Sequence, residues 1–151
     1  MKLPDVNLLI YALDDTSPRH QSSRAWLERT LSGAETVAFA WPVLLAVIRL
    51  TTHATIFRNP FRPDEILDIV DGWLARPCVV IVHPTERHAA VLRQLLAPLG
   101  TAGNLTSDAH LAALAVEHSA ELCSSDADFA RFPGVRWIDP LRAPEDRAFD
   151  Q

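Results

Sequence analysis

Short apolar runs alternate with helical stretches along this chain, and that alternation limits the folds open to it. Thr36–Ala40 and Cys78–Val82 are runs of this kind, Leu122-Cys123 is the end of another, and Val135–Ile138 is a last one suited to a sheet edge. Runs that short and that uniformly apolar read as strands buried on both faces. Helical segments between them make parallel crossovers, so the expected class is α/β: a sandwich of helices around a mostly parallel central sheet. A chain of 151 residues, 48% of them hydrophobic, can build one real core. One domain is expected over 1–142, followed by a polar, frayed tail over 143–151.

The helices are read from periodicity and caps. Met1 to Pro4 leaves almost no room for a first strand, and the segment after Asp5 is free of breakers until Asp14-Asp15. Ser17-Pro18 has the N-cap-then-proline order that starts a helix, which runs to about Leu31. Trp41-Pro42 leads a helix through Leu50 that is apolar for most of its length and is expected to be buried. Arg49 is its one charge, and a core carboxylate is favoured over a phosphate as its partner. Between Ile56 and Pro63 lies a loop that mixes Phe57 and Phe61 with Arg58 and Arg62. Asp64–Ala75 is amphipathic, with Ile66, Val70 and Trp73 on one face. Thr85 is expected to cap the helix that carries Val91, Leu92, Leu95 and Leu96. A further helix follows Gly103, with Asn104 or Thr106 as its side-chain N-cap, and its apolar face contains Asp108, Leu111, Ala112 and Ala115.

Charge and special residues exclude several classes. A net charge of −5 argues against a protein that coats nucleic acid through bulk charge. Lys2 is the only lysine, so the cations are nearly all arginines, which suit planar phosphate contacts. Cys78 and Cys123 lack CxxC spacing and adjoin apolar residues, which reads as buried thiols of a cytoplasmic protein. Asp5 interrupts the apolar start, so no signal peptide is read, and no run is long enough to span a bilayer. The His and Cys residues have no zinc spacing, and neither a glycine-rich phosphate loop nor a serine elbow is present.

What remains is a set of carboxylates. Asp5 is placed between a first strand and a helix, Asp108 enters a buried helix, and Asp126 and Asp128 follow a strand. The C-terminal ends of parallel strands share one sheet edge, so these groups can converge there. Each also has a plainer reading as a helix cap. Clustered carboxylates stay ionised together only when something positive neutralises them, and hard cations such as Mg²⁺ or Mn²⁺ prefer such oxygen ligands. A site of this kind can activate water for phosphodiester hydrolysis.

Three blocks resemble one family. Asp5-Val6-Asn7-Leu8-Leu9, the stretch Gly103–Ala115, and Ser124 to Trp137 with its Phe-Pro-Gly-Val-Arg-Trp ending are similar to the PIN-domain ribonucleases. The likeness is closest to the VapC toxins of bacterial type II toxin–antitoxin systems. The resemblance runs from Asp5 to Leu141. It implies a PIN-like α/β/α sandwich and a Mg²⁺-dependent endoribonuclease acting on structured RNA such as tRNA or rRNA. It also implies a small VapB-like antitoxin as inhibitor, and a homodimer. Carried over by position, Asp5 and Asp108 are the principal metal ligands and Asp126 completes the acidic site, with Asn7, Ser124 and Asp128 in support. One departure stands out: the glutamate common in the helix after the second strand is missing, since Val43–Arg49 contains no acid. A catalytically weak or inactive PIN module that binds antitoxin or RNA is therefore the alternative reading, and a phosphatase or DNA nuclease is a weaker third. The resemblance together with the loop aromatics places the antitoxin surface on the Ser17–Leu31 helix and the Phe57 to Trp73 region. His110, two helical positions from Asp108, is set outside the ligand set, and His83, His88 and His118 are left without partners.

Overall fold

Among the described residues, five parallel strands, each only two or three residues long, form one sheet in the order β3-β2-β1-β4-β5. The computed structural model describes residues 1–142, so the polar tail expected over 143–151 lies outside the described residues. The strands are β1 (Lys2–Pro4), β2 (Val37–Phe39), β3 (Val79–Ile81), β4 (Glu121–Cys123) and β5 (Trp137–Ile138). The α-helices among the described residues are α1 (Val6–Leu13), α2 (His20–Ser32), α3 (Trp41–Thr51), α4 (Pro63–Leu74), α5 (His88–Leu96) and α6 (Thr106–Glu117).

The order of the strands determines the layers. From β1 the chain steps outward to β2 and then to β3, so the right-handed crossovers that carry α1 to α4 lie on one face. From β3 it returns past β1 to β4, and this reversed step puts α5 and α6 on the other face. The direction of winding thus changes between β1 and β4, the switch point at which open α/β sheets leave a crevice at their strand C-termini. Leu3 and Leu122 sit opposite each other across that central pair and are fully buried, as are Val37, Ala38 and Phe39 of β2. Phe39 stacks on Trp73 of α4 with ring centroids 5.9 Å apart.

Several expectations change. Three residues suffice for a first strand, and that strand is the central one, paired with both β2 and β4. Lys2 faces Glu121 in register and its Nζ lies 2.6 Å from the carboxylate. Ser17 does not cap α2: its hydroxyl accepts the Arg19 N–H in a turn, and the helix begins at His20. Neither Asn104 nor Thr106 caps α6, which follows a 3₁₀ turn over Gly103–Leu105, while the Thr106 hydroxyl donates back to the Gly103 carbonyl. Thr85 is likewise three residues ahead of α5.

The largest correction concerns α3. Trp41 is 42% and Leu45 58% exposed, and Arg49 is exposed as well. These three positions recur every four residues, so they form one stripe, while Val43, Leu44 and Val47 face the core. Arg49 makes no ion pair among the described residues, so the expected core carboxylate partner is not found. The helix is amphipathic with an apolar outer face, which no test of hydrophobicity alone separates from full burial.

Both cysteines are free thiols. Cys123 is buried, and burial pushes its thiol up to about 12, whereas Cys78 is only half-buried. No helix among the described residues is long and apolar enough to cross a membrane.

Candidate active site at the sheet switch point

Asp5 leaves β1 at the crevice and is the N-cap of α1. Its backbone N–H donates to the Cys123 carbonyl of β4 (2.9 Å), which ties the two strand ends together. The residue is buried, at 8% exposure, and both carboxylate oxygens are engaged. Oδ1 accepts the Val6 N–H at 2.7 Å, and Oδ2 accepts the Ser124 hydroxyl at 2.7 Å and the Asn7 amide at 3.1 Å. Burial raises the carboxyl above its ordinary range, the Ser124 and Val6 hydrogen bonds pull it back, and Asp126 pushes it up again.

Ser124, fully buried, is the hub of this arrangement. Its Oγ donates to Asp5 and accepts both the Asn7 amide (2.9 Å) and the Asp126 backbone N–H (3.0 Å). Asn7 is oriented without ambiguity, because its Oδ1 accepts the Ser125 backbone N–H at 3.3 Å and its Nδ2 must then face Asp5 and Ser124. Asp126 caps the short 3₁₀ turn over Ala127–Arg131 through its Oδ1, which accepts the Asp128 N–H at 2.9 Å. Asp128 is exposed, 3.8 Å from the Arg131 guanidinium.

Asp108 comes from the opposite wall, in the first turn of α6. Burial, followed by the charges of Asp5, Asp126 and Asp128, pushes it up to about 6. All four acids read from the sequence therefore share one field. Asp5 and Asp108 line a groove of about 460 Å³ together with Arg49, Ala46 and Leu45 of α3 and with His110 of α6. The α3 wall carries no acid, as its sequence required. Asp126 and Asp128 act on the groove by charge from beside it.

Among the described residues no three acidic, His or Cys side chains form a ready-made metal cage. The donor set still fits a Mg²⁺-like ion, which is commonly held by one or two carboxylates and completes its shell with water and substrate phosphate. Its chemistry is hard oxygen donors whose mutual repulsion is not offset by any cation acting on Asp108.

Sequence reasoning missed one group at this site. His110 is paired: its Nδ1 lies 2.9 Å from Nε2 of His88, whose Nδ1 lies 2.5 Å from the Glu117 carboxylate. The available signal was the seven-residue spacing of His110 and Glu117, which puts both on one face of α6.

The PIN domain family model matches residues 2–135. Ribonuclease VapC37 of Mycobacterium tuberculosis is 50% identical over 140 residues, covering 93% of this chain and 97% of that protein. Ribonuclease VapC33 of the same species is 39% identical over 142 residues, covering 94% and 99%. Among solved structures, VapBC2 of Rickettsia felis, bound to a DNA fragment from its promoter, superposes with a TM-score of 0.66 at 18% identity, over 91% of this chain and 96% of that one. That likeness concerns the fold alone. With an acidic groove at the switch point of a five-stranded parallel sheet and 50% identity to a VapC protein over 140 residues, the chain belongs to the VapC branch of the PIN-domain family.

Proposed function

We propose that this protein is a metal-dependent endoribonuclease toxin of a type II toxin–antitoxin system. The observation that carries this reading is the placement of Asp5 and Asp108 in one groove at the switch point of the sheet, where burial and the neighbouring carboxylates raise Asp108 to about 6. Such a groove is poorly designed for a free protein and well suited to one that takes up a cation. Asp5 and Asp108 are the proposed Mg²⁺ ligands, with Mn²⁺ as a substitute, and Asp126 completes the acidic site. A bound divalent ion would neutralise the carboxylates and acidify a water for attack on an RNA phosphodiester.

The chain's own residues do the rest. Ser124 and Asn7 hold the Asp5 carboxylate in one orientation, and the Val6 N–H fixes its other oxygen. Asp128 donates its N–H to Asp126 and so sets the carboxylate that adds charge beside the groove. Structured RNA such as tRNA or rRNA is the proposed substrate, and a homodimer the proposed assembly. The VapC names of the relatives support the ribonuclease reading.

The test is cleavage of total RNA by the purified, antitoxin-free protein with Mg²⁺ or with EDTA. Discrete fragments are expected only with Mg²⁺. Intact RNA from a folded protein would favour the second reading, a PIN module that binds without cutting. The α3 wall, which presents Ala46 and Arg49 and no glutamate, is the observation behind that alternative.

A VapB-like antitoxin is the proposed protein partner. A second groove, of about 590 Å³, lies between α2 and the Phe57–Trp73 region, with Phe57, Phe61 and Trp73 on one side and Arg24 and Glu28 on the other. Phe57 is buried against Phe61, so its replacement would disturb the fold as well as the surface. Arg24 is the cleaner probe, since it is exposed and, among the described residues, its ion pair is with Glu28 one turn away. Arg24→Glu is expected to weaken antitoxin binding about tenfold, measured by calorimetry, while Tm falls by no more than about 2 °C, the scale of the like-charge contact it creates with Glu28. Unchanged affinity would remove this groove from the interface.

A further inference from the structure

The Glu117–His88–His110 chain is more than a tie between α5 and α6. Glu117 alone would serve as the tie: its side chain is closed to solvent, its Oε1 accepts the Thr85 backbone N–H at 3.0 Å and the Thr85 hydroxyl, and its Oε2 faces His88. The extension from His88 to His110, ring against ring at 4.8 Å and 70°, adds a link that ends in the groove lined by Asp5 and Asp108.

The donors and acceptors along this chain have one consistent direction when both rings are neutral. A carboxylate can only accept, so His88 Nδ1 carries the proton and donates to Glu117. His88 Nε2 is then a lone pair, which obliges His110 Nδ1 to carry the proton and donate to it. His110 Nε2 is left as a lone pair. It has no protein partner among the described residues, and no buried side-chain nitrogen or oxygen there lacks one, so Nε2 is open to solvent.

We propose that Glu117 and His88 are positioning residues that fix the tautomer of His110, and that His110 Nε2 accepts the hydrogen bond of a hydroxyl group at the scissile phosphate. That hydroxyl belongs either to the attacking water or to the ribose 2′-position. The inference rests on the ribonuclease reading above, and it makes His110 a catalytic residue alongside the carboxylates. A lone pair at this place orients the O–H that it receives, and orientation is what an in-line displacement demands.

Glu117→Gln reverses the chain without changing its shape. The Thr85 N–H can only donate, so it keeps the amide oxygen and turns the amide NH₂ toward His88 Nδ1. His88 Nδ1 must then accept, its proton moves to Nε2, His110 Nδ1 accepts in turn, and His110 Nε2 becomes a donor. Ring ¹⁵N spectra of the full chain at pH 8, where imidazoles of ordinary pKa are neutral, read this directly. The wild-type protein should show His110 protonated at Nδ1, and Glu117→Gln should show it protonated at Nε2. Cleavage of an oligoribonucleotide should lose about tenfold or more in kcat, with KM within twofold. His110→Asn keeps a donor toward His88 and removes the second nitrogen, so it should lose as much, and the double variant no more than either single one.

A wild-type His110 protonated at Nε2 would overturn the proposal, as would a swapped tautomer or a His110→Asn variant with unchanged kcat. Should Glu117→Gln fail to fold, the wild-type spectrum and His110→Asn decide alone. A wild-type protein that cuts no RNA would sink the ribonuclease reading, and the catalytic half of this proposal with it, whereas the spectra test the tautomer independently. A substrate with a 2′-deoxy residue at the cut separates the two hydroxyls. If His110→Asn then costs nothing further the 2′-hydroxyl is the partner, and if it costs the full amount the water is.

Discussion

Asp108→Asn should abolish RNA cleavage and at the same time make the protein more stable at pH 8. The first effect follows from removing a proposed metal ligand, with an expected loss of at least about 10³ in kcat. The second follows from the sign of the Asp108 shift. Burial and three neighbouring carboxylates raise it to about 6 in the folded protein from 3.8, so the folded state holds this proton more tightly than the unfolded chain does. Well below pH 3.8 both states are protonated and the group contributes no difference. As pH rises from about 4 to about 6 the unfolded chain loses the proton first, stability falls, and above that range the deficit is constant. Asn removes the deficit, so the variant and wild type should differ least near pH 4 and separate toward pH 8. Because the side chain is partly open to solvent, the gain is about 1 kcal/mol after screening, or roughly 2–4 °C in Tm. Mg²⁺ should raise the wild-type Tm by neutralising the same charge and raise the variant's much less. Thermal melts at pH 4 and pH 8, with and without Mg²⁺, check all of this. A variant that is less stable than wild type at pH 8 would mean that Asp108 helps hold the fold, as a helix-start carboxylate does, and would return it to a plain dipole role.

The parts of this fold that show in the sequence are those governed by local pattern. β2 is apolar in every residue because both its faces are covered. β3 is as apolar in sequence, but it is the edge strand and Val80 is 41% exposed, so the expected burial on both faces does not hold there. The acids at strand ends were visible from local pattern too: nothing apolar explains Asp5 after Leu3-Pro4, or Asp126 after Leu122-Cys123. What was hidden depends on partners far along the chain. β1 is three residues long and gains its place through Val37 and Glu121, both far away in sequence. The outer stripe of α3, Trp41 to Leu45 to Arg49, is mostly apolar, and only the position of the neighbouring elements shows that it is exposed among the described residues. The histidine chain combines a loop, α5 and α6, and no spacing links His88 to His110. The expected caps failed because local alternatives won. The Ser17 and Thr106 hydroxyls each found a backbone partner in a preceding turn.

Ser124→Ala should damage fold and site together, and its two readouts separate them. Ser124 is fully buried, and its hydroxyl takes part in three hydrogen bonds, so no water can replace it without repacking. Alanine leaves the Asp126 N–H without its acceptor and deprives the Asp5 carboxylate of its shortest side-chain donor. A buried donor without a partner costs about 1–3 kcal/mol. The Asp5 contribution carries a sign of its own. The Ser124 bond favours the charged carboxylate, so its loss raises a pKa that burial has already raised, and the unfolded chain is unaffected. The stability lost through Asp5 should therefore be smaller in acid, where the carboxyl is protonated in both states, than at pH 8. The same loosened carboxylate should bind Mg²⁺ less well, by about 10²-fold, the scale on which outer partners tune metal ligands. Calorimetric Mg²⁺ titration and denaturant melts at pH 4 and pH 8 measure the two effects. If stability falls while Mg²⁺ affinity and cleavage hold, Ser124 is a strut between β4 and α1, and Asp5 keeps its orientation from Val6 and Asn7 alone. If both fall, and the melts diverge with pH in the stated direction, the hydroxyl is what makes an acid buried at a strand end into a usable ligand.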